Sequence, residues 1–550
     1  MIKLSYKAIH EAEKVKQSMH KEGKDKRTLG AFYTKSDFIT DYIVNRLDLK
    51  DNLTILEPAA GDGEFIKAVI KRGHTLEISA FDIDPVAVAQ LKQKYPGINV
   101  EEKNTLTEIP NKGLGVFTQK KWDRILGNPP YGAVYSPDEK KKYKGLYPEI
   151  NTTESYAMFL VNCINRLNEG GIISFIISDT FLHLNWHNKL RKFILDNCKI
   201  KEIVLLKTKL FPEVNYQYAG LCIFTAEKCK DENVRANNKL RFVNRIGDMD
   251  MLIKLRDSPL DDTPNFVHCE QIKQREYLEF VDNVFFQAGI PNKILELFMD
   301  HVRLVGELVQ CKTGIYSGDN TRHFKIISTS DLFEKYTNAG YQVVKKEETV
   351  NRQLTEEEKE KGISEPPYFV PLMKGGSGRY YKKPVWFADW SINSINYMQK
   401  NPKARVQNSE YYFKKGICMS LINSNRQQAR IMEGYVFDQS DNGFFPEEQY
   451  LLFFLGFFNS RLFNYMLKKV INPTANATVD YVKKIPTIMP NESQLIQINT
   501  LVWEIIEKKK IDENKSIDDE EKKVDLFFYD LYKLNEEERK LVEDFCYHLR

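Results

Sequence analysis

The feature that most constrains the fold is a regular alternation of short apolar stretches with amphipathic ones, from about residue 29 to residue 228. Apolar segments predict strands at "LTILE" (53–57), "LEISAFD" (76–82) and "GIISFIISD" (171–179). Between the second and third of these, "PVAVAQLKQKY" has helical spacing with Pro85 in its first turn. Strands separated by helices indicate an α/β domain with a mostly parallel, doubly wound sheet.

The same pattern extends to the end of this region and then stops. Further strands are predicted at "INVEEKN" (98–104), "RILGN" (124–128), "KEIVLLK" (201–207) and "QYAGLCIFTAE" (217–227). We expect the last two to close the sheet, because the polar "KCKDENVRANNK" that follows has the composition of a connector. The remainder mixes aromatic strands, glycine turns and a few helices, which indicates a separate α+β domain.

A chain of 550 residues is too long for one hydrophobic core, so several domains are expected. We predict an N-terminal helical extension over 1–28, the α/β domain over 29–230, a connecting region over 231–300, the α+β domain over 301–490, and C-terminal helices that pack on it over 491–550.

Composition excludes some classes of protein and leaves others open. The chain is 42% hydrophobic and 28% charged, no apolar run reaches membrane-spanning length, and the first residues lack the apolar core of a signal peptide. We therefore expect a cytoplasmic protein with no membrane partner. Eight cysteines without a C-x-x-C pair argue against a zinc site, and we expect no metal. A net charge of +4 neither requires nor excludes nucleic acid.

Two predicted strand ends carry residues suited to a ligand, because open α/β sheets bind ligands beyond the carboxyl ends of their strands. The turn from Glu57 to Gly63 is small and glycine-containing, although an ordinary tight turn would look the same. Asp82 could accept hydrogen bonds from ribose hydroxyls, or it could cap the next helix, a role for which Asp84 is better placed. Neither a G-x-G-x-x-G nor a P-loop spacing is present, which favours a nucleoside-like cofactor without phosphates.

The segment Asn128-Pro129-Pro130-Tyr131 follows the predicted strand "RIL" directly. Two prolines cannot continue a strand ladder, so this is a stiff loop that offers an amide, a main-chain carbonyl and an aromatic ring. The Asn128 side-chain oxygen and the Pro129 carbonyl could accept both N–H groups of an amine conjugated to an aromatic ring, and so stabilise the charge it develops when methylated. Tyr131 could stack on that ring. The alternative is a plain proline turn.

These motifs resemble those of the gamma-class DNA amino-methyltransferases of restriction–modification systems, which use S-adenosylmethionine on a Rossmann-like class I methyltransferase domain. "GAFYTKSDFITDYIV" (30–44) is similar to their first motif, "LEPAAGDG" to their cofactor loop and "GNPPY" to their catalytic motif. The resemblance implies that catalysis rests on Asn128, Pro129, Pro130 and Tyr131. It implies that the cofactor is bound by Tyr33, Thr34, Glu57, Ala59, Gly61, Asp82, Asn104 and Asn128.

Two further assignments come from the resemblance. Phe211, in "LFPEVNYQYAGLCIF", resembles the residue that stacks on the target base opposite Tyr131, and it could equally belong to the core. Asn104 stands where the family commonly has Asp, and an amide oxygen can still accept a hydrogen bond from the cofactor's adenine. We expect weakened rather than lost cofactor binding there.

The resemblance also extends to three segments of the C-terminal half, at 313–324, 371–381 and 471–486, which are similar to pieces of the family's target-recognition domain. An adenine in duplex DNA must be flipped out before its amine can react, so protein–DNA contacts have to offset that cost. The side chains that could neutralise phosphates are Lys374, Arg379, Lys382 and Lys383. The alternative is a solvated hairpin tip.

The predicted activity is therefore site-specific methylation of adenine N6 in double-stranded DNA, with S-adenosylhomocysteine as product and no metal required. N4-cytosine methylation is the first alternative, and RNA or protein-glutamine methylation are lower-ranked ones. We expect a monomer or weak dimer in a bacterial cytoplasm. We expect cleavage to be left to a separately encoded restriction endonuclease, because the predicted N-terminal extension is too short for a nuclease and "SPDEKKK" (136–142) lacks the separated carboxylates of a metal-dependent one.

Overall fold

The computed structural model describes residues 37–108, 120–130, 132–207, 210, 220–299, 302–375 and 378–547. The predicted N-terminal extension over 1–28 lies outside them, as do Tyr33, Thr34, Tyr131 and Phe211. The chain forms two units, of which the first ends at Gly289 and the second begins at Ile290.

The first unit contains one nine-stranded sheet. Its strands, in chain order, are β1 (Thr54–Glu57), β2 (Glu77–Asp82), β3 (Asn99–Glu102), β4 (Trp122–Gly127), β5 (Leu167–Ser178), β6 (Cys198–Leu206), β7 (Leu221–Lys228), β8 (Lys239–Ile246) and β9 (Cys269–Lys273). Its α-helices are α1 (Asp37–Asn45), α2 (Glu64–Ile70), α3 (Pro85–Lys94), α4 (Pro137–Leu146), α5 (Ser155–Arg166), α6 (Asn188–Asn197), α7 (Glu232–Ala236), α8 (Met249–Asp257) and α9 (Gln274–Glu279).

The strands lie in the order β3-β2-β1-β4-β5-β7-β6-β8-β9, and the first five strands of this order pair with one another in parallel. β7 is antiparallel to both β5 and β6. Because parallel crossovers are right-handed, the reversal of strand order at β1 places the connections on opposite faces of the sheet. The predicted fold class, a doubly wound and mostly parallel sheet, is confirmed.

The expectation that the strand over 217–227 closes the sheet is wrong. β8 pairs parallel to β6, and β9 pairs antiparallel to β8. The sequence "KLRFVNRI" of β8 buries its centre against this edge, while the polar connector before it contains only the short helix α7. The charged residues of β8 made it look like a surface segment. Arg241 is in fact fully buried, with its guanidinium against Glu202.

Glu202 also ties α1 to the sheet. Its carboxylate accepts hydrogen bonds from Arg46 Nε at 2.7 Å and from the Tyr42 hydroxyl at 2.9 Å. All of these groups are buried. Buried charges are tolerated when they are paired and hydrogen-bonded, so this cluster fixes α1, whose sequence forms the second half of the first predicted cofactor motif.

The second unit contains two sheets. The first has the order β10-β18-β15-β16 and the second β12-β11-β14-β13-β17. The strands are β10 (Val309–Thr313), β11 (Phe324–Ile327), β12 (Gln342–Val344), β13 (Phe369–Met373), β14 (Trp386–Asp389), β15 (Gly416–Ser420), β16 (Ala429–Met432), β17 (Val436–Phe437) and β18 (Asp441–Pro446).

Its helices are α10 (Asn292–Met299), α11 (Val305–Leu308), α12 (Asn320–His323), α13 (Phe333–Thr337), α14 (Glu356–Lys361), α15 (Ile392–Lys400), α16 (Leu451–Asn459), α17 (Arg461–Tyr465), α18 (Val479–Val482), α19 (Glu492–Ile511), α20 (Asp518–Leu531) and α21 (Glu536–Tyr547). A π-helix, Met466–Ile471, continues α17. The C-terminal helices pack on α16 through aromatic contacts, such as Phe453 with Phe528 at 5.6 Å between ring centroids.

All eight cysteines lie in the described residues and are free thiols, seven of them buried. Within the same ranges, no helix has the length and apolar character that a membrane crossing requires.

Candidate active site

The first unit has a cavity of about 240 Å³ where the strand order reverses between β1 and β4. The two strands pair in parallel, so their carboxyl ends, at Glu57 and Gly127, lie at the same edge. This is the position at which doubly wound sheets bind ligands. Six of the predicted cofactor residues line this cavity. Asn128 follows β4, and the other five lie at or after the ends of β1, β2 and β3: Glu57, Ala59, Gly61, Asp82 and Asn104.

The turn after β1 is shaped by two glycines. Gly61 and Gly63 have φ values of +52° and +79°, which side-chain-bearing residues rarely adopt. A Cβ on Gly63 would also lie 2.6 Å from the Leu91 side chain. The turn is thus held close to α3, and its backbone is exposed to the cavity.

Asp82, at the end of β2, supports this turn from the neighbouring strand. Its two carboxylate oxygens accept the backbone N–H groups of Gly61, at 2.7 Å, and Asp84, at 2.9 Å. Asp84 itself caps α3 by accepting the Val86 N–H. The helix cap is therefore Asp84, as expected, and Asp82 faces the cavity. Burial raises the pKa of Asp82.

Glu57 is 2% exposed, and its Oε2 atom has no hydrogen-bond partner in the described part of the chain. Burial, with smaller contributions from the nearby Asp82 and Asp62 charges, raises the pKa of Glu57 well above its usual value. A buried carboxylate that lines a cavity without a partner is a feature that a cationic or hydrogen-bond-donating ligand would satisfy.

The cavity has a strongly negative lining. Its described lining residues include six acids and one lysine: Glu57, Asp62, Glu64, Asp82, Asp84, Glu139 and Lys103. The lysine ammonium is itself paired with Glu101 and Glu108, at 3.1 Å each. The field in the cavity therefore favours a positively charged ligand.

The segment after β3 closes another side of the cavity. The Asn104 side-chain oxygen accepts the Leu106 N–H at 3.0 Å, and the Thr105 hydroxyl donates to the Pro58 carbonyl at 2.6 Å. The first bond lies within the Asn104 loop, and the second attaches this loop to the turn after β1. Asn104 retains an amide group at the cavity wall.

An apolar and aromatic wall completes the cavity, and sequence reasoning did not identify it. Its members are Leu106, Val134, Tyr135, Tyr143 and Phe159. The Tyr135 and Tyr143 rings lie 4.8 Å apart, and the Tyr135 hydroxyl donates to Ser155 at 3.1 Å. The capping box of Ser136 and Glu139 is the sequence signal that predicts α4 and hence this position for Tyr143.

The predicted catalytic loop follows β4 directly. Asn128 and Pro130 line the cavity, and Pro129 is buried. Gly127, with φ +149°, makes the turn out of the strand, and a Cβ there would meet Pro58 and Glu57 at ordinary contact distance. Tyr131 and Phe211, to which base stacking is assigned, lie outside the described residues, as do Tyr33 and Thr34. Their roles stay predictions.

The four predicted DNA-contacting cations lie in the second unit, in or beside the loop after β13. The Lys374 ammonium is 2.7 Å from the buried Asp438 carboxylate, and Arg379 Nη1 is 2.7 Å from Glu521. Lys382 is half-buried, and Lys383 is exposed. Two of the four cations thus have partners within their own unit, and the DNA-binding role of the group stays a prediction.

Within the described residues, no cluster of three or more His, Cys, Asp or Glu side chains has the arrangement of a metal site.

The first unit is thus a Rossmann-like domain, with a doubly wound sheet and a cavity at the point where the strand order reverses. Residues 67–211 match the family model of the Eco57I restriction-modification methylases. This part of the chain is therefore similar to that methylase family, and the predicted resemblance to methyltransferases of restriction–modification systems is confirmed.

Individual proteins agree with this assignment. The chain is 24% identical over 253 residues to the type II methyltransferase M.AccI of Acinetobacter calcoaceticus, which covers 43% of the chain and 44% of M.AccI. It is 23% identical over 430 residues to the adenine-specific methyltransferase BrxX of Escherichia coli O9:H4 (strain HS), over 76% of the chain and 32% of BrxX. The aligned part thus spans less than half the length of either relative.

A similar fold is found in a solved structure, the cryo-EM structure of a DrdV–DNA complex. It superimposes with a TM-score of 0.53 at 12% identity, over 92% of this chain and 60% of that one. The likeness covers both units and shows the fold.

Proposed function

We propose that this protein is a site-specific DNA methyltransferase of a restriction–modification or related defence system, which methylates N6 of an adenine flipped out of duplex DNA. The observation that carries the proposal is the convergence of Asn128 with Glu57 and Asp82 in one acidic cavity at the sheet's switch point. The proposed cofactor is S-adenosylmethionine, which supplies an activated methyl group when bound.

The cavity residues suit this cofactor. Its sulfonium and ammonium groups are cations, and the lining holds six acids to one lysine. Asp82 has carboxylate lone pairs beyond its two backbone partners, which could accept ribose hydroxyls. Glu57 offers a buried oxygen without a described partner. Asn104 is the proposed acceptor for the adenine amine of the cofactor.

The Asn-Pro-Pro loop supplies the proposed chemistry. A conjugated exocyclic amine is a poor nucleophile because its lone pair is delocalised. Two acceptors on its N–H groups, the Asn128 side-chain oxygen and the Pro129 carbonyl, stabilise positive charge on the nitrogen as it develops. The prolines hold the loop rigid, so little reorganisation accompanies the reaction. Tyr131 and Phe211 are proposed to stack on the flipped base.

Duplex DNA is the proposed substrate on two grounds. The matched family model describes restriction-modification methylases, and the aligned relatives are named as type II and adenine-specific methyltransferases. The second unit, which follows the methylase domain, provides the additional surface that base flipping requires. A separately encoded restriction endonuclease is the proposed partner within such a system.

The test is the Asn128→Ala variant, with Asn99→Ala as the matched control because Asn99 is an exposed asparagine of the same unit outside the cavity. Tritiated S-adenosylmethionine and plasmid DNA from a host without DNA methylation are incubated with each protein. We expect Asn128→Ala to lose about a hundredfold or more in turnover, as for other single transition-state donors or acceptors, with cofactor binding retained.

Two results would contradict the proposal. Near-normal turnover of Asn128→Ala would remove the assigned role of the loop. Digestion of the labelled DNA to nucleosides identifies the modified base, and label on cytosine N4, or on RNA or protein in parallel assays, would replace adenine N6 with the corresponding alternative.

A further inference from the structure

The loop that joins β15 to β16, Leu421–Gln428, was not singled out by any sequence pattern, and its backbone is held on both sides. On one side it pairs with the segment after the π-helix: Ala477 N–H donates to the Leu421 carbonyl at 2.7 Å, and Asn423 N–H donates to the Ala475 carbonyl at 2.9 Å. The segment over 472–478 is thus hydrogen-bonded through its backbone to one side of the 421–428 loop.

The other flank contacts the glycine-rich loop that contains the predicted DNA-binding cations. Gly378 N–H donates to the Gln428 side chain at 2.6 Å, and Tyr380 N–H donates to the Ala429 carbonyl at 2.7 Å. The Ile431 N–H returns a bond to the Tyr380 carbonyl at 2.9 Å. The 421–428 loop therefore lies between two of the three segments that resemble target-recognition pieces.

A buried lysine also holds the loop through hydrogen bonds to its backbone. Lys468, 6% exposed, donates hydrogen bonds from its ammonium to the carbonyls of Asn423 and Asn425. Burial lowers its pKa to about 8. Burying an ammonium is costly unless its hydrogen bonds are made, and here they fix the two carbonyls of an exposed loop. Asn464 adds a further support by accepting the Gln427 N–H at 2.6 Å.

Lys468 belongs to the π-helix Met466–Ile471, a rare element that occurs often at functional sites. The loop is also held from within, because the Asn423 side chain donates to the Arg426 carbonyl at 2.8 Å and accepts the Asn425 N–H at 2.9 Å.

The fixed loop presents one exposed apolar side chain and small polar ones. Ile422 is 67% exposed. Ser424 and Asn425 beside it, and Asn476 on the neighbouring segment, are exposed too. A single exposed isoleucine is unremarkable by itself. An isoleucine beside asparagine amides on a rigid loop has the chemistry that reads base edges, since amides pair with adenine and apolar groups contact the thymine methyl.

The charge of this surface fits a polyanion. The sequences over 374–383, 421–428 and 466–478 contain seven lysines and arginines and no aspartate or glutamate. The acids that contact these segments include the buried Asp438 and Glu521, which pair with Lys374 and Arg379, and the half-buried Glu513, which accepts the Lys383 N–H at 2.8 Å. The Lys383 side chain is exposed to solvent.

We propose that the 421–428 loop enters a groove of the duplex and contributes to sequence recognition, with Ile422 and Asn425 as the residues that contact base edges. The inference rests on the proposed function, because it assigns part of the target recognition that a site-specific methyltransferase needs.

The test compares Ile422→Ala and Asn425→Ala with Ile496→Ala, whose isoleucine is 63% exposed on α19 in the same unit. Each full-length protein methylates unmethylated plasmid and genomic DNA with tritiated S-adenosylmethionine, and long-read sequencing maps the modified positions. We expect Ile422→Ala and Asn425→Ala to lose about tenfold in kcat/KM or to accept additional sequences. Ile496→Ala should match the wild type in both rate and modified sites.

The outcomes separate this inference from the proposed function. If the wild type labels DNA while both loop variants keep its rate and its sequence profile, the loop has no recognition role. If the wild type labels no DNA, or labels ribosomal RNA in its place, the proposed function fails and the inference fails with it. Thermal unfolding of each variant checks that a loss does not come from misfolding.

Discussion

The backbone N–H of Gly61 donates a 2.7 Å hydrogen bond to the carboxylate of Asp82, so the turn after β1 is fastened to the end of β2. The bond joins the two strand ends at which a nucleoside cofactor is proposed to bind. Asp82 therefore has two functions in the proposed site: it shapes the glycine turn and it offers acceptors to the ribose.

We expect Asp82→Ala to weaken S-adenosylmethionine binding by about ten- to a hundredfold, since hydrogen bonds to a charged group contribute about 1.5–3 kcal/mol. Isothermal titration calorimetry measures the effect directly. Asp231→Ala is the control, because Asp231 caps α7 in the same unit without lining the cavity. Equal affinities in the two variants would remove Asp82 from the cofactor site.

The buried Glu57 carboxyl predicts a dependence of stability on pH. Burial raises its pKa in the folded protein above the ordinary value of 4.5. The contribution of protonated Glu57 to the free energy of unfolding is therefore complete below about pH 4.5, and it is lost as the pH rises through the raised pKa of the folded protein. Glu57→Gln cannot ionise, so we expect it to unfold at higher urea concentration than the wild type at pH 8 and at the same concentration at pH 4. A variant that is less stable at pH 8 would contradict this.

The same group should link cofactor binding to protons. A positively charged ligand favours the ionised form of Glu57, so binding at a pH below the raised pKa should release protons, and affinity should rise with pH in that range. Calorimetry in two buffers of different ionisation enthalpy counts the released protons. Glu57→Gln should reduce that number, whereas a control change outside the cavity should not.

The predicted strand ends account for what sequence reasoning found at the site. Glu57, Asp82, Asn104 and Asn128 lie at or just after the carboxyl ends of parallel strands, and such ends converge. Their meeting in one cavity follows from this topology, whereas the assignment of Asn104 depended on the resemblance to the methyltransferase family. Tyr135 and Phe159 were not predicted, because they enter the cavity from a loop and a helix whose orientation depends on tertiary packing.

The second unit shows the opposite case. Lys374 and Arg379 look like free cations in a glycine-rich loop, and their acidic partners Asp438 and Glu521 lie far along the chain, where no local pattern pairs them. β8 was missed for a related reason: its arginine reads as polar surface until the buried Glu202 is known. Local sequence reports the composition of an element but not the distant residue that neutralises it.

Asn104 offers a test of the departure from the family pattern. Asn104→Asp would replace the amide with a carboxylate that retains the bond from the Leu106 N–H and accepts more strongly from the cofactor's adenine amine. We expect S-adenosylmethionine to bind several-fold more tightly, by about 1 kcal/mol. Asn99→Asp, outside the cavity, is the control. Weaker binding by Asn104→Asp would indicate that repulsion from the cavity's acids dominates.

Lys374 and Lys383 differ in their surroundings: Lys374 forms an internal ion pair, and Lys383 is an exposed surface cation. Lys374 is 14% exposed and pairs with a carboxylate that is 2% exposed. Removing one partner of such a pair leaves the other charge buried, at a cost of about 3 kcal/mol. We therefore expect Lys374→Ala to lower the urea midpoint of unfolding clearly. The exposed Lys383 should change stability by less than about 0.5 kcal/mol when replaced by alanine.

For DNA binding we expect the reverse order: replacing Lys383 should have the larger effect, and replacing Lys374 the smaller one. Phosphate contacts weaken with salt, and each one lost reduces the slope of log affinity against log salt by about 1. Lys383→Ala should show that reduction, measured by fluorescence anisotropy on a duplex at two or more salt concentrations. Lys374→Ala, assayed at a temperature where it is folded, should keep the wild-type slope because its ammonium already faces Asp438. If Lys374→Ala reduced the slope without loss of stability, the ion pair would have to open on DNA, and Lys374 would contact phosphate after all.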